Sequence, residues 1–176
     1  MSGQHLVLVG LMGAGKTTVG ERCAALLDRP FVDTDAVVEA TVHLSVTEIF
    51  EQLGETRFRE LERQAVADVA ASPAPLVIAC GGGAVVDAGS RRVLRDAGVV
   101  VWLQAPTAVL EARVGAGSTR PLLRGGAAAT LERLAAQRAA AYEAAAHLTV
   151  DTANRSVDEV TDAVLAAVRE VETWIG

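Results

Sequence analysis

Short apolar runs alternate with helical patterns along the 176 residues of this chain. Runs of three to five successive apolar residues are typical of strands that are buried on both faces of a parallel sheet. The segments between them repeat apolar residues at helical spacing. This alternation predicts an α/β fold in one domain, 1–176, with a five-stranded parallel sheet flanked by helices on both faces. The predicted strands are 5–9, 30–33, 76–80, 99–103 and 147–150.

Signals that start and stop helices divide the segments between these strands. Ser45 with Glu48, and Ser156 with Glu159, have the three-residue spacing of a capping box and predict two helix starts. Gly54 is expected to end the helix that the first box begins. The predicted helices are 17–27, one from about 35, 49–53, about 56–71, 90–96, 108–113, 127–146 and one that begins after 156.

A glycine-rich loop directly follows the first predicted strand. Residues 10–17 have the sequence GLMGAGKT, which matches the phosphate-binding pattern G-x-x-x-x-G-K-[ST] between a strand and a helix. Of the sixteen basic residues in the chain, Lys16 is the single lysine, and its compact ammonium suits the space between β- and γ-phosphates. The Thr17 hydroxyl is expected to ligate Mg²⁺. We therefore predict an ATP site formed by Gly13, Ala14, Gly15, Lys16, Thr17 and Thr18.

Two acids and three glycines follow the next two strands, at the sheet edge where parallel α/β proteins bind ligands. One interpretation of Asp33 and Asp35 is purely structural: one acid caps the N-terminus of a helix and the other is a surface residue. Asp35 would then serve partly as the cap. We favour a functional interpretation, in which Asp33 holds Mg²⁺ through water and Asp35 grips or deprotonates an acceptor hydroxyl. The run 81–83 is either a flexible turn or a place where a ligand approaches the backbone closely.

Arginines form two further groups. Arg59 and Glu62 belong to a helical segment, 57–63, whose charges alone favour a solvated face with ion pairs along the helix. The segment 113–138 has five arginines and one acid, which favours binding of an anion. Arg120 lies in a glycine-punctuated part of it, which is either a surface loop or a mobile lid that stabilises a migrating phosphoryl group.

Composition excludes several classes of protein. The net charge of −6 argues against general nucleic-acid binding. Cys23 and Cys80 each lie in an apolar run and are expected to be small buried hydrophobes in a reducing compartment, with no zinc site. The N-terminus lacks the pattern of a signal peptide, and the apolar runs are too short to span a bilayer. We expect a cytoplasmic protein without membrane contact.

Missing motifs narrow the choice among phosphate-loop proteins. A GTPase would need a second lysine in its Asn-Lys-x-Asp motif, and no Asp-x-x-Gly occurs in the chain. A motor or transporter ATPase would carry an aspartate at the end of the third or fourth predicted strand, where this chain has none. These features favour a small-molecule kinase.

Five sequence signatures, in order, resemble the shikimate kinase family over nearly the whole chain. They are residues 10–17, Asp33-Thr34-Asp35, Phe58-Arg59-Glu60-Leu61-Glu62, Gly81-Gly82-Gly83 and Arg120-Pro121-Leu122-Leu123. The resemblance implies transfer of the ATP γ-phosphoryl group, with Mg²⁺, to the 3-hydroxyl of shikimate, on the way to chorismate and aromatic amino acids. The expected partners are therefore ATP and shikimate, and the expected state is a monomer.

The resemblance also assigns roles to individual residues. It implies that Glu62 orients Arg59, which reverses the interpretation of that helix as a solvated face. A lid of about 113–126 and a substrate-binding segment of about 34–62 are implied. Two alternatives stay open: another small-molecule kinase such as a gluconate kinase, and a nucleotide-binding regulator without catalysis. The residues implied to bind shikimate are Asp35, Arg59, Gly81, Gly82 and Arg138. The residues implied to be catalytic are Lys16, Asp35 and Arg120. The residues implied to complete the ATP site are Arg113, Arg120 and Arg155.

Overall fold

The structure is a computed structural model that describes residues 4–114 and 127–175. Its centre is a parallel five-stranded sheet in the order β2-β3-β1-β4-β5, so the first strand along the chain is also the middle one. The predicted α/β fold and all five predicted strands are confirmed. The strands are β1 His5–Val9, β2 Phe31–Asp33, β3 Val77–Ala79, β4 Gly98–Gln104 and β5 Leu148–Asp151.

Helices connect the strands and begin near the predicted signals. Both capping boxes form, since the hydroxyls of Ser45 and Ser156 accept the backbone N–H of Glu48 and Glu159 at 3.2 Å each. The carboxylate of each glutamate accepts the serine backbone N–H in return. The helices are α1 Lys16–Leu27, α2 Thr34–Val42, α3 Val46–Gln52, α4 Gly54–Ala70, α5 Ala88–Ala97, α6 Thr107–Val114, α7 Ala127–Ala145 and α8 Val157–Ile175.

Two local features differ from the sequence prediction. Gly54 was expected to end a helix, but α3 already ends at Gln52 and Gly54 is the first residue of α4. Only Leu53 separates the two helices. A glycine with a φ of 81° fits a sharp turn between two helices as well as the end of one helix, so the sequence alone did not show on which side of this turn Gly54 lies. A 3₁₀ helix at Ala84–Val86, just after the three glycines, was not predicted.

The apolar residues form two separate clusters. The larger one surrounds the sheet and includes Leu6, Val7, Leu8 and Val9 of β1, all of whose residues are buried. The smaller one joins α2, α3 and α4 through Val38, Ile49, Phe58, Leu61 and Ala65. This second core holds the three helices together as a layer that positions side chains at one end of the sheet.

The cysteines and two of the histidines have structural surroundings. Both cysteines are buried, and burial raises the pKa of the Cys23 thiol to about 12, as expected of a small hydrophobic residue. The Nδ1 atoms of His5 and His147 accept the backbone N–H groups of Leu76 and Val100 at 3.0 Å. Among the helices of the described residues, none has the length and apolar character needed to cross a membrane.

Candidate active site

The phosphate-binding loop lies between the end of β1 and the start of α1. Gly13 and Gly15 have φ angles of 81° and 91°, which side chains other than glycine rarely adopt, and α1 begins at the next residue, Lys16. The Lys16 ammonium donates to the carbonyl oxygens of Gly10 at 2.9 Å and Leu11 at 3.1 Å. The backbone N–H groups and the positive end of the α1 dipole therefore face the same place as the ammonium, as phosphate binding requires.

Asp33 joins this loop to the beginning of α2. The Thr17 hydroxyl donates to one of its carboxylate oxygens at 3.2 Å, and the backbone N–H of Asp35 donates to the other at 2.9 Å. The N-cap of α2 is thus Asp33, whereas the sequence suggested that Asp35 serves partly as the cap. The reason is that α2 begins at Thr34, one residue earlier than predicted, so Asp35 already stands in its first turn.

A cavity of about 590 Å³ opens beside Asp33 and brings together residues that are distant in the chain. Its walls come from the phosphate-binding loop, α1, β2, α2, α3, α4, the glycine run and α7. Of the predicted substrate and metal residues, the cavity is lined by Thr17, Asp33, Asp35, Arg59, Gly82 and Arg138. Gly81 lies directly behind the wall.

Arg59 and Glu62 form an ion pair at this cavity. The guanidinium donates to Glu62 at 2.7 Å and to Glu55 at 3.2 Å, and Glu62 is only 3% exposed. Burial raises the pKa of the Glu62 carboxyl, and the positive charge of Arg59 counteracts this effect. The charge pattern alone favoured a solvated face. That holds for Arg57 and its exposed partner on the same helix, but it is wrong for Arg59 and Glu62, because the second core turns them toward the sheet.

Each glycine of the run 81–83 leaves room for a different charged side chain. A Cβ atom at Gly83 would lie 2.8 Å from Cζ of Arg59, and one at Gly81 would lie 2.9 Å from Glu62 and closer still to Asp35. At Gly82 the nearest atom would be Nη1 of Arg138, 3.3 Å away. Charged side chains therefore stand close to this backbone at all three glycines.

Arg138 reaches the glycine run from α7. It is 7% exposed, and its Nη1 donates to the Gly82 carbonyl at 2.9 Å. Tyr142, one turn further along α7, donates its hydroxyl to the same oxygen at 2.5 Å. Tyr142 was not predicted from the sequence; the available signal was its spacing of four from Arg138. Its ring stacks on Trp102 of β4, with 5.5 Å between the ring centroids.

A second cavity, of about 440 Å³, lies on the other side of the phosphate-binding loop. Arg113 lines it and donates to the Thr152 carbonyl at 2.6 Å and to the Thr152 hydroxyl at 2.9 Å. Arg155, at the start of the segment that leads into α8, also lines it. The predicted nucleotide residues Gly13, Ala14, Gly15, Lys16, Thr17, Thr18, Arg113 and Arg155 all border this cavity. Thr152 was not predicted.

The predicted lid falls largely beyond the described residues. Of the range 113–126, the structure describes Arg113 and Val114, at the end of α6. Arg120 lies outside the described residues, so its catalytic role stays a prediction.

Comparisons with known proteins identify relatives over almost the whole chain. The family model for shikimate kinase matches residues 12–169. The chain is 44% identical to the shikimate kinase of Symbiobacterium thermophilum over 94% of its own length and 97% of that protein. It is 41% identical to the shikimate kinase of Ruegeria pomeroyi over 92% of its length and 83% of that protein.

Solved structures agree with these relatives. The structure of the shikimate kinase from Acinetobacter baumannii, in complex with shikimate, superposes with a TM-score of 0.92 at 34% identity, covering 96% of this chain and 94% of that one. A gluconokinase from Sinorhizobium meliloti superposes with a TM-score of 0.62 at 20% identity, covering 96% of this chain and 93% of that one, which shows a shared fold only. On the strength of the family model and of relatives matched along nearly their full length, this chain belongs to the shikimate kinase family.

Proposed function

We propose that this protein transfers the γ-phosphoryl group of ATP to the 3-hydroxyl of shikimate, a step of aromatic amino acid biosynthesis. One observation carries the proposal. A carboxylate, Asp35, and two arginines, Arg59 and Arg138, line one cavity together with the glycine run, next to a phosphate-binding loop. A small acid with hydroxyl groups needs this combination of charges in an acceptor site.

The two arginines are the proposed clamp for the shikimate carboxylate. Arg59 is held from behind by Glu62, and Arg138 by the Gly82 carbonyl, so each guanidinium has lost much of its freedom before the substrate arrives. A guanidinium presents its N–H donors in a planar fork that matches a carboxylate. Preorganised donors bind with a smaller entropy cost than flexible ones. The clamp would fix the ring of the substrate relative to Asp35.

Asp35 is the proposed partner of the acceptor hydroxyl. It stands in the first turn of α2, directly after the Asp33 cap, and its carboxylate packs against Gly81. In phosphoryl transfer the protein contributes mainly alignment and charge stabilisation. Asp35 would accept a hydrogen bond from the 3-hydroxyl, align it with the γ-phosphorus and take its proton.

The nucleotide is the proposed occupant of the second cavity and of the adjoining loop. The backbone N–H groups of 13–18 and the Lys16 ammonium would hold the phosphates. Arg113 and Arg155 would flank the base end, because both border that cavity, which Asp35 does not line. Arg120 would stabilise charge on the migrating group, as predicted from its place in the sequence.

Thr17 and Asp33 are the proposed residues for Mg²⁺. A hydroxyl and a carboxylate 3.2 Å apart, beside the phosphate-binding loop, fit an ion that prefers few protein oxygens and keeps several waters. Thr17 would ligate the ion directly and Asp33 would hold it through water. When bound, Mg²⁺ supplies positive charge to the phosphate oxygens. We propose that a monomer is the active form.

An ADP-release assay coupled to NADH oxidation tests the proposed activity. The purified protein receives ATP and Mg²⁺ with shikimate, with gluconate or with no acceptor. We expect shikimate-dependent ADP release that neither gluconate nor the blank reproduces. Gluconate-dependent release would favour a different small-molecule kinase, and nucleotide binding without any acceptor-dependent release would favour a regulator.

A further inference from the structure

The Gly82 carbonyl oxygen accepts hydrogen bonds from two side chains of α7. Nη1 of Arg138 lies 2.9 Å from it and the hydroxyl of Tyr142 lies 2.5 Å from it. A spacing of four residues places both side chains on one face of the helix. Both are buried, with 7% exposure for the arginine and 1% for the tyrosine. The two donors therefore converge on a single backbone atom of the glycine run.

These two bonds fix the orientation of the peptide unit between Gly82 and Gly83. A carbonyl oxygen has two lone pairs, and here each has a donor. Because the C=O and N–H groups of a planar trans peptide point in opposite directions, holding the carbonyl also fixes the direction of the Gly83 N–H. Both glycines line the cavity proposed for the substrate. Glycine would otherwise be free to rotate this unit.

Tyr142 brings rigidity to this arrangement that Arg138 lacks. Its ring stacks on Trp102 of β4, with an angle of 21° between the ring planes, so the hydroxyl is held by packing against the sheet. Burial raises the pKa of Tyr142 to about 12, and the phenol therefore remains a donor throughout the neutral range. Arg138, by contrast, has a long side chain with several rotatable bonds.

We propose that Tyr142 is a positioning residue for the acceptor substrate. Its hydroxyl holds the Gly82 carbonyl, and this carbonyl in turn holds Arg138 in the geometry in which the guanidinium faces the cavity. This inference rests on the proposed role of that cavity as the shikimate site. Without the phenol hydroxyl, Arg138 alone would restrain the peptide, and both would move more freely.

The variant Tyr142→Phe tests the proposal, because it removes the hydroxyl and keeps the ring against Trp102. Loss of one neutral hydrogen bond should raise the KM for shikimate about threefold to tenfold. The KM for ATP should stay unchanged, because the phosphate-binding loop has no contact with the phenol in the bonds described. An unchanged shikimate KM, within about twofold of wild type, would overturn the proposal.

Thr161→Val is the matched control. Thr161 is 1% exposed and donates its hydroxyl to the Val157 carbonyl at 2.7 Å within α8, a helix that does not line the cavity proposed for shikimate. It should change thermal stability without changing the shikimate KM. If Tyr142→Phe behaves in the same way, with a lower Tm and unaltered kinetics, the phenol is only structural. If the wild-type protein lacks shikimate-dependent turnover, the proposed function fails and this inference fails with it.

A second measurement does not depend on the folding of a variant. Tyr142 is the only tyrosine in the chain, so biosynthetic incorporation of 3-fluorotyrosine places one ¹⁹F label at this position. We expect saturating shikimate to shift the single resonance, and ADP to shift it less. A resonance that shikimate leaves in place would contradict the proposal, even if Tyr142→Phe cannot be purified in folded form.

Discussion

Gly83→Ala is a direct test of the arginine clamp, because the added methyl group would collide with one functional side chain. Gly83 has a φ of −105° and a ψ of −8°, values that alanine adopts without strain. The three atoms nearest to the new Cβ all belong to the Arg59 guanidinium, with Nη1 the closest and Cζ at 2.8 Å. To reach an ordinary separation of 3.4 Å, Cζ must retreat by about 0.6 Å and Nη1 by more.

Arg59 cannot retreat freely, since it is paired with Glu62 at 2.7 Å. Displacement weakens this bond and leaves the 3% exposed carboxylate short of its donor, which should lower the free energy of unfolding by about 1–3 kcal/mol. The effect on catalysis should be larger. A misplacement approaching 1 Å can cost about 10²-fold in rate, so we expect a loss of that order in kcat/KM for shikimate.

Steady-state kinetics with each substrate varied in turn measure this effect. Gly82→Ala is the graded control, because its Cβ would meet Arg138 at 3.3 Å and needs only a few tenths of an ångström. For Gly82→Ala we expect the kcat/KM for shikimate to fall by less than about tenfold. The KM for ATP should be unchanged in both variants. Equal losses in the two variants, or a normal shikimate kcat/KM for Gly83→Ala, would refute the reasoning.

Three further outcomes are expected. Arg59→Ala should raise the shikimate KM strongly, whereas Arg63→Ala, an exposed arginine of the same helix, should change stability by less than about 0.5 kcal/mol and leave the KM unchanged. Asp35→Asn should impair shikimate use more than ATP binding, while Asp33→Asn should raise the Mg²⁺ requirement. Burial and a nearby arginine lower the pKa of His147, so the folded state favours its neutral form, and the free energy of unfolding should decrease as the pH falls below about 6.5.

Each of these outcomes has its own control. Circular dichroism is used to check that the arginine and aspartate variants are folded. Equal shikimate KM values for Arg59→Ala and Arg63→Ala would contradict the proposal that Arg59 binds the shikimate carboxylate. Identical magnesium titrations for Asp33→Asn and Asp35→Asn, with normal shikimate affinity, would contradict the division of roles. For His147, urea unfolding at pH 5 and pH 8 gives the free energy of unfolding of the wild type and of His147→Gln. A variant that loses as much stability at low pH as wild type would exclude this histidine as the cause.

The fold could be predicted well because its signals are local. Three of the strands, β1, β3 and β4, lie in compact apolar runs, and β1, whose five residues are all buried, matches its predicted range. The capping boxes at Ser45 and Ser156 each need only four consecutive residues, so tertiary structure has little chance to override them. Gly54 shows where such local signals are insufficient. A glycine at a junction can belong to the end of one helix or to the start of the next, and only the three-dimensional structure distinguishes the two cases.

The candidate site was predictable in part, for a related reason. The residues at the ends of β1, β2 and β3 meet because parallel strands end at the same edge of the sheet. Arg59 and Tyr142 come from helices, and no strand end marks them. Arg59 has the same charge and helix as Arg63, and only the packing of α4 in the small core of α2, α3 and α4 determines that Arg59 is half-buried at the cavity and Arg63 is exposed. Tyr142 functions through a backbone carbonyl that the sequence does not reveal.

The glycine run shows why a correct motif still leaves its physical role open. Three glycines after a strand suggest a close approach by a ligand, and charged side chains of the protein also need the space that these glycines leave. Gly81 accommodates Asp35 and Glu62, and Gly83 accommodates Arg59. A carboxylate and a guanidinium from two different helices can therefore stand against one short stretch of backbone. Each residue lacks a side chain for a different reason, so the run is best tested one glycine at a time.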